Sequence, residues 1–88
     1  MAKKREKNKE KGEIGAFILI RVLPHKERGI YEKLEKMKKV ILVNELFGEW
    51  DIIIGVDISN AKELDTFVSE KIRKMKEIGL TSTMIVAR

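Results

Sequence analysis

The chain repeats itself at a distance. EKLEKMKKV at residues 32–40 returns as EKIRKMKEI at residues 70–78, 38 positions later. The pair Gly12 and Glu13 returns as Gly48 and Glu49, 36 positions later. Two copies of one unit, differing in length by two residues, explain both offsets. In each copy an apolar run precedes a helical pattern and a second apolar run follows it. GAFILIRVL is continuous, rich in β-formers and stopped by Leu23 and Pro24, as a buried strand should be. HKERGIYEKLEKMKK then sets Ile30, Leu34 and Met37 at helical spacing, with Glu32 and Lys36, and Glu35 and Lys39, one turn apart as pairs on the outer face. VILVNELF and WDIIIGVDI read as the second and third strands. Asn60, with Glu63 three residues on, reads as a capping box opening a helix whose apolar stripe is Leu64, Phe67, Val68, Ile72 and Met75. Gly79 is expected to end that helix, and LTSTMIVAR is the last strand.

The order is therefore βαββαβ. Each half is a split βαβ unit. Right-handed crossovers join the halves into a four-stranded antiparallel sheet with both helices on one face, a ferredoxin-like α+β fold. Eighty-eight residues make one domain, expected over residues 14–88. A chain of this size buries only about 60% of the surface its unfolded form exposes, so its core is modest.

The strands carry more apolar side chains than two helices can cover. In the third strand Ile52, Ile54, Val56 and Ile58 share the helix side, while Asp51, Ile53, Gly55 and Asp57 share the other. The first strand is apolar on both faces, with Ala16, Ile18, Ile20 and Val22 on one and Phe17 and Leu19 on the other, until Arg21. The second strand repeats this, with Val40, Leu42 and Leu46 set against Ile41, Val43 and Phe47. A half-covered antiparallel sheet should alternate apolar and polar residues. The second face is therefore expected to be buried against another copy, giving at least a dimer. Burying ~600 Å² of apolar surface per subunit at ~25 cal/mol/Å² contributes ~15 kcal/mol gross, enough for a small domain to depend on its partner.

The formal charge of +5 is mostly a tail. Residues 1–13 hold six Lys and Arg against three Glu, and the other 75 hold thirteen against eleven. The segment is expected to be a disordered basic arm, and direct DNA binding is expected only through its lysines from Lys3 to Lys11, if at all. No run approaches the roughly 20 apolar residues of a membrane span, and no apolar stretch follows the charged start as in a secretory signal. The absence of cysteine fits a reducing cytoplasm and excludes disulfides, thiolate metal sites and a Cys nucleophile. A chain without glutamine but rich in Lys and Glu leans towards a thermophile.

Catalytic constellations are scarce. His25 is the single histidine, follows Pro24 and reads as a surface residue. There is no phosphate-binding glycine loop, and Ser82 has no base near it in sequence. Glu49 and Asp51, two apart in a turn, do not make a glycosidase pair. No enzyme, cofactor or metal is expected. The residues that stand out are Gly48, Glu49, Trp50 and Asp51, a turn between two apolar runs holding the sole tryptophan, and the hydroxyl row Thr81, Ser82 and Thr83. Gly48 as a turn former, Asp51 as a cap for neighbouring amides and the threonines as strand formers are readings equally open at this level.

NELFGEWDIIIGV, ELDTFVSEKI and TSTMIV together resemble the ligand-binding (RAM) domain of the leucine-responsive/asparagine-responsive (Lrp/AsnC) family of transcription regulators. The resemblance covers Ile14 to Arg88; its most specific element is Gly48, Trp50 and Asp51, with Trp50 where the family usually has tyrosine. It implies dimers formed through the sheet faces, rings of dimers, and a small effector, commonly an amino acid, bound between dimers near the turn. By position, Gly48 and the peptide groups around Glu49 would approach the effector. Asp51 would accept from an α-ammonium or a neighbouring N–H, and Thr81 and Thr83 would donate to a carboxylate. Full-length members carry an N-terminal helix-turn-helix, and the charged start of this chain has no apolar periodicity from which to build one. The expectation is a stand-alone, oligomerising effector domain that modulates full-length relatives. The alternative is an assembly or adaptor protein of the same fold that binds no small molecule.

Overall fold

The computed structural model describes the backbone of Lys4–Glu6 and residues 12–87. The chain runs β1 (Lys4–Glu6), β2 (Ala16–Val22), α1 (Glu27–Glu35), β3 (Val40–Glu45), β4 (Ile52–Val56), α2 (Ala61–Phe67) with a continuing π turn (Val68–Ile72), and β5 (Ile78–Ile85). The strands form one antiparallel sheet in the order β1-β3-β4-β2-β5. Without β1, this is the four-stranded βαββαβ plait expected from the repeat. β2 and β3 flank β4, and β4 and β5 flank β2, as two split βαβ units require.

One face of the sheet is the core. Ala16, Ile18 and Ile20 of β2 lie opposite Val56, Ile54 and Ile52 of β4, and all six are fully buried. Ile30, Tyr31 and Leu34 from α1 cover them, with Leu64, Phe67, Val68 and Ile72 from the second helical segment. Tyr31 also donates its hydroxyl to the Val43 carbonyl at 3.2 Å, tying α1 to β3. Asn60 caps α2 by accepting the Glu63 amide at 2.8 Å. The Glu63 carboxylate reaches back one residue further than a reciprocal box would, accepting the Ser59 amide at 3.3 Å.

The other face is apolar and open. Phe17 and Leu19 of β2, Leu42 of β3 and Ile53 of β4 are half-buried on it, and Met84 of β5 is exposed opposite Phe17. Ile14 folds over Gly55, where a Cβ would meet its side chain at 2.8 Å.

Several expectations are corrected. Ile41 is the extra residue of a bulge, since Val40 pairs with Val56 and Leu42 with Gly55. The bulge reverses the alternation, so Val40 and Val43 share the core and Leu42 joins the open face. Gly79 does not end the second helix, which stops at Ile72. Gly79 is instead the extra residue of β5 where Arg21 pairs with Leu80 and Val22 with Ile78. Lys4–Glu6, expected within a disordered arm, pairs antiparallel with β3 from Lys4 opposite Asn44 to Glu6 opposite Leu42. Residues 1–3 and 7–11 of that arm, and so Lys3, Lys7, Lys9 and Lys11, lie outside the described residues.

Candidate functional site

Residues 46–51 join β3 to β4, and the Leu46 amide closes this connection by donating to the Asp51 carbonyl at 2.8 Å. Gly48 sits at its tip with φ of +119°. A Cβ at Gly48 would meet nothing within 4 Å, so glycine is required there by backbone conformation and not by space.

Strand β2 grips this turn at three consecutive residues. The Ile20 carbonyl accepts the Asp51 amide at 2.9 Å. The Arg21 Nε–H donates to the Glu49 carbonyl at 2.9 Å, and its guanidinium carbon stands 5.4 Å from the centre of the Trp50 ring, within cation–π range. The Val22 amide donates to Asp51 Oδ2 at 2.7 Å. Of the two acceptor roles open for Asp51, that of holding a neighbouring N–H is therefore present. Trp50 and Asp51 are half-buried by these contacts, while Gly48 and Glu49 stay exposed. The turn is hydrogen-bonded to β2 along its second half, and its tip is exposed.

The hydroxyl row does not act as one group. Thr81 lies opposite Ile20 and Thr83 opposite Ile18, which puts both on the helix side, whereas Ser82 lies opposite Leu19 on the open face. Thr81 stands across β2 from the turn at the same end of the sheet, about two strand spacings or ~10 Å away. Thr83 is two residues further along. It borders a groove of about 720 Å³ between the second helical segment and β5, together with Leu64, Asp65, Val68, Arg73 and Ile85. None of residues 48–51 lines that groove. The residue of this clamp that sequence reading passed over is Arg21. Its signal was present as a lone cation breaking an otherwise apolar strand.

Elsewhere, the Lys39 ammonium 2.9 Å from the Glu63 carboxylate and the Ser59 amide together hold Glu63 below the usual carboxylate range. Lys39 lies beyond the end of α1 and joins the two halves of the repeat through this pair. No cluster of three His, Cys, Asp or Glu side chains suited to a metal occurs among the described residues. No described helix is long and apolar enough to cross a membrane.

The profile of the Lrp/AsnC ligand binding domain matches residues 15–88. The chain belongs to this family. An uncharacterised helix-turn-helix-type transcriptional regulator of Pyrococcus furiosus is 38% identical to this Lrp/AsnC-type chain over 73 residues, 80% of this chain and 49% of the relative. The chain thus spans about half the length of the curated relatives it matches. The solved structure of FFRP-DM1 is 45% identical and superposes with a TM-score of 0.79, covering 85% of this chain and 100% of the other. The same fold occurs in transcriptional regulator NMB0573 of Neisseria meningitidis, solved as a complex with L-Met. Its identity is 17% and its TM-score 0.76, over 85% of this chain and 50% of the other. The Lrp/AsnC ligand-binding domain is a regulatory module, and its relatives here are named as transcriptional regulators.

Proposed function

We propose that this Lrp/AsnC-type domain binds a small effector, an amino acid, at the 48–51 turn, and self-associates through its open sheet face as a regulatory module. The observation that carries this reading is the turn. Its flanks are latched to β2 by Arg21 and Val22, yet Gly48 and Glu49 at its tip are exposed. Ordered, outward-facing peptide groups suit the charged ends of an amino acid, because their ordering entropy is already spent. The L-Met complex of the Neisseria protein supports an amino acid as the chemical class. The apolar open face supports a dimer and, through the same surface, co-assembly with full-length Lrp/AsnC-type regulators; rings of dimers, also part of this reading, would join through other surfaces. The working compartment in this reading is the cytoplasm.

The test is denaturant unfolding with and without each amino acid at millimolar concentration. A ligand at 100 times its dissociation constant adds about 2.7 kcal/mol of stability. A raised midpoint with one or a few amino acids supports the sensor; no shift with any of them sinks it. The open face, with Phe17, Leu19, Leu42, Ile53 and Met84 uncovered by either helix, favours a second reading, an assembly or adaptor module without an effector. Self-association in sedimentation velocity that is lost in Leu19→Glu, combined with silence towards every amino acid, would select it.

A further inference from the structure

We propose that Arg21 is the positioning residue of the 48–51 turn, setting the direction of the Trp50 amide and the placement of the Trp50 ring. Three groups of β2 hold the turn, and two of them, the Ile20 carbonyl and the Val22 amide, belong to the backbone and persist whatever side chains β2 carries. Arg21 alone grips it by a side chain, and does so twice, through Nε–H to the Glu49 carbonyl and through its charge over Trp50. The side chain is exposed, so burial does not force it into this place. Its position follows from the hydrogen bond and the ring together.

The consequence lies in the peptide between Glu49 and Trp50. In a trans peptide the N–H points opposite to the C=O. Drawing the Glu49 carbonyl towards β2 therefore directs the Trp50 N–H away from β2, as a donor oriented for an anionic group such as an effector carboxylate. That the donor meets an effector rests on the proposed function; that Arg21 orients it does not.

Trp50 is the only tryptophan, so its fluorescence reads this clamp directly. The experiment compares wild type, Arg21→Ala and Arg21→Lys in the full chain. Acrylamide quenching of Trp50 is measured, followed by titration with each of the twenty amino acids, with affinity expressed per folded molecule. Arg21→Ala should leave the fold intact, raise the quenching of Trp50 and weaken the best amino acid about tenfold or more, the scale of one lost charged hydrogen bond. Arg21→Lys keeps a cation for the ring but has no Nε–H at the carbonyl. It should restore the shielding of Trp50 without restoring affinity. Quenching in Arg21→Ala that matches wild type overturns the proposal, as does full recovery of affinity in Arg21→Lys. If no amino acid binds the wild type, the effector reading fails, and the quenching comparison still decides whether Arg21 sets the turn.

Discussion

The Asp51 carboxylate takes the place of a backbone carbonyl for Val22. Its Oδ2 accepts the Val22 amide at 2.7 Å one residue before β4 begins, so β2 keeps a partner where the neighbouring strand has turned away. Asp51→Ala leaves a part-buried N–H without its acceptor, at a cost of about 1–3 kcal/mol. Asp51→Asn keeps an oxygen in place and should cost less. Urea unfolding of both variants checks the order; equal stability of Asp51→Ala and wild type would remove the structural role.

Tyr31 joins the first helix to the strand across the core. Its ring is buried, and its hydroxyl donates to the Val43 carbonyl at 3.2 Å. Tyr31→Phe preserves the packing and removes the bond, so it should lower stability by about 0.5–1.5 kcal/mol with an unchanged denaturant slope.

Glu63 makes the fold sensitive to acid. Its hydrogen bond from Lys39, and then that from the Ser59 amide, hold its folded pKa below the ordinary carboxylate value. A depressed folded pKa contributes stability that is fully present above the unfolded value, about 4.3, and is lost as pH falls through the folded one. The pair is exposed, so salt should weaken the effect. Thermal midpoints of wild type should therefore fall more steeply than those of Glu63→Gln as pH drops below about 4. Parallel curves would show that the contact contributes nothing in solution.

His25 occupies a left-handed position. Its φ is +68°, in a turn closed by the Lys26 amide on the Leu23 carbonyl at 3.1 Å, with Pro24 before it. That is the place where a type II turn favours glycine. His25→Gly relieves a left-handed strain of roughly 1–2 kcal/mol and costs some backbone entropy, for a net gain of about 0.5–1 kcal/mol. A raised denaturation midpoint is expected; a lowered one would mean that the imidazole contributes to the turn.

The repeat, the period-2 runs and the helical stripes carried the plait, because burial patterns are local and each half states its own. Ile52, Ile54, Val56 and Ile58 read as the core side of one strand and are buried in the structure. The tip of the turn was legible too, since Gly48 lies between two strands and its positive φ suits glycine alone among the usual residues. The bulges at Ile41 and Gly79 were not legible, because a one-residue insertion in a continuous apolar run leaves the composition unchanged while reversing every face beyond it. The separation of Ser82 from Thr81 and Thr83 follows from alternation once the register of β5 is known. The clamp on the turn depends on residues 28 and 29 positions apart, Arg21 with Glu49 and Val22 with Asp51. No local pattern encodes such a pairing. It exists because β4 lies beside β2 in the sheet, and only the closed sheet brings the cation to the carbonyl and the carboxylate to the amide.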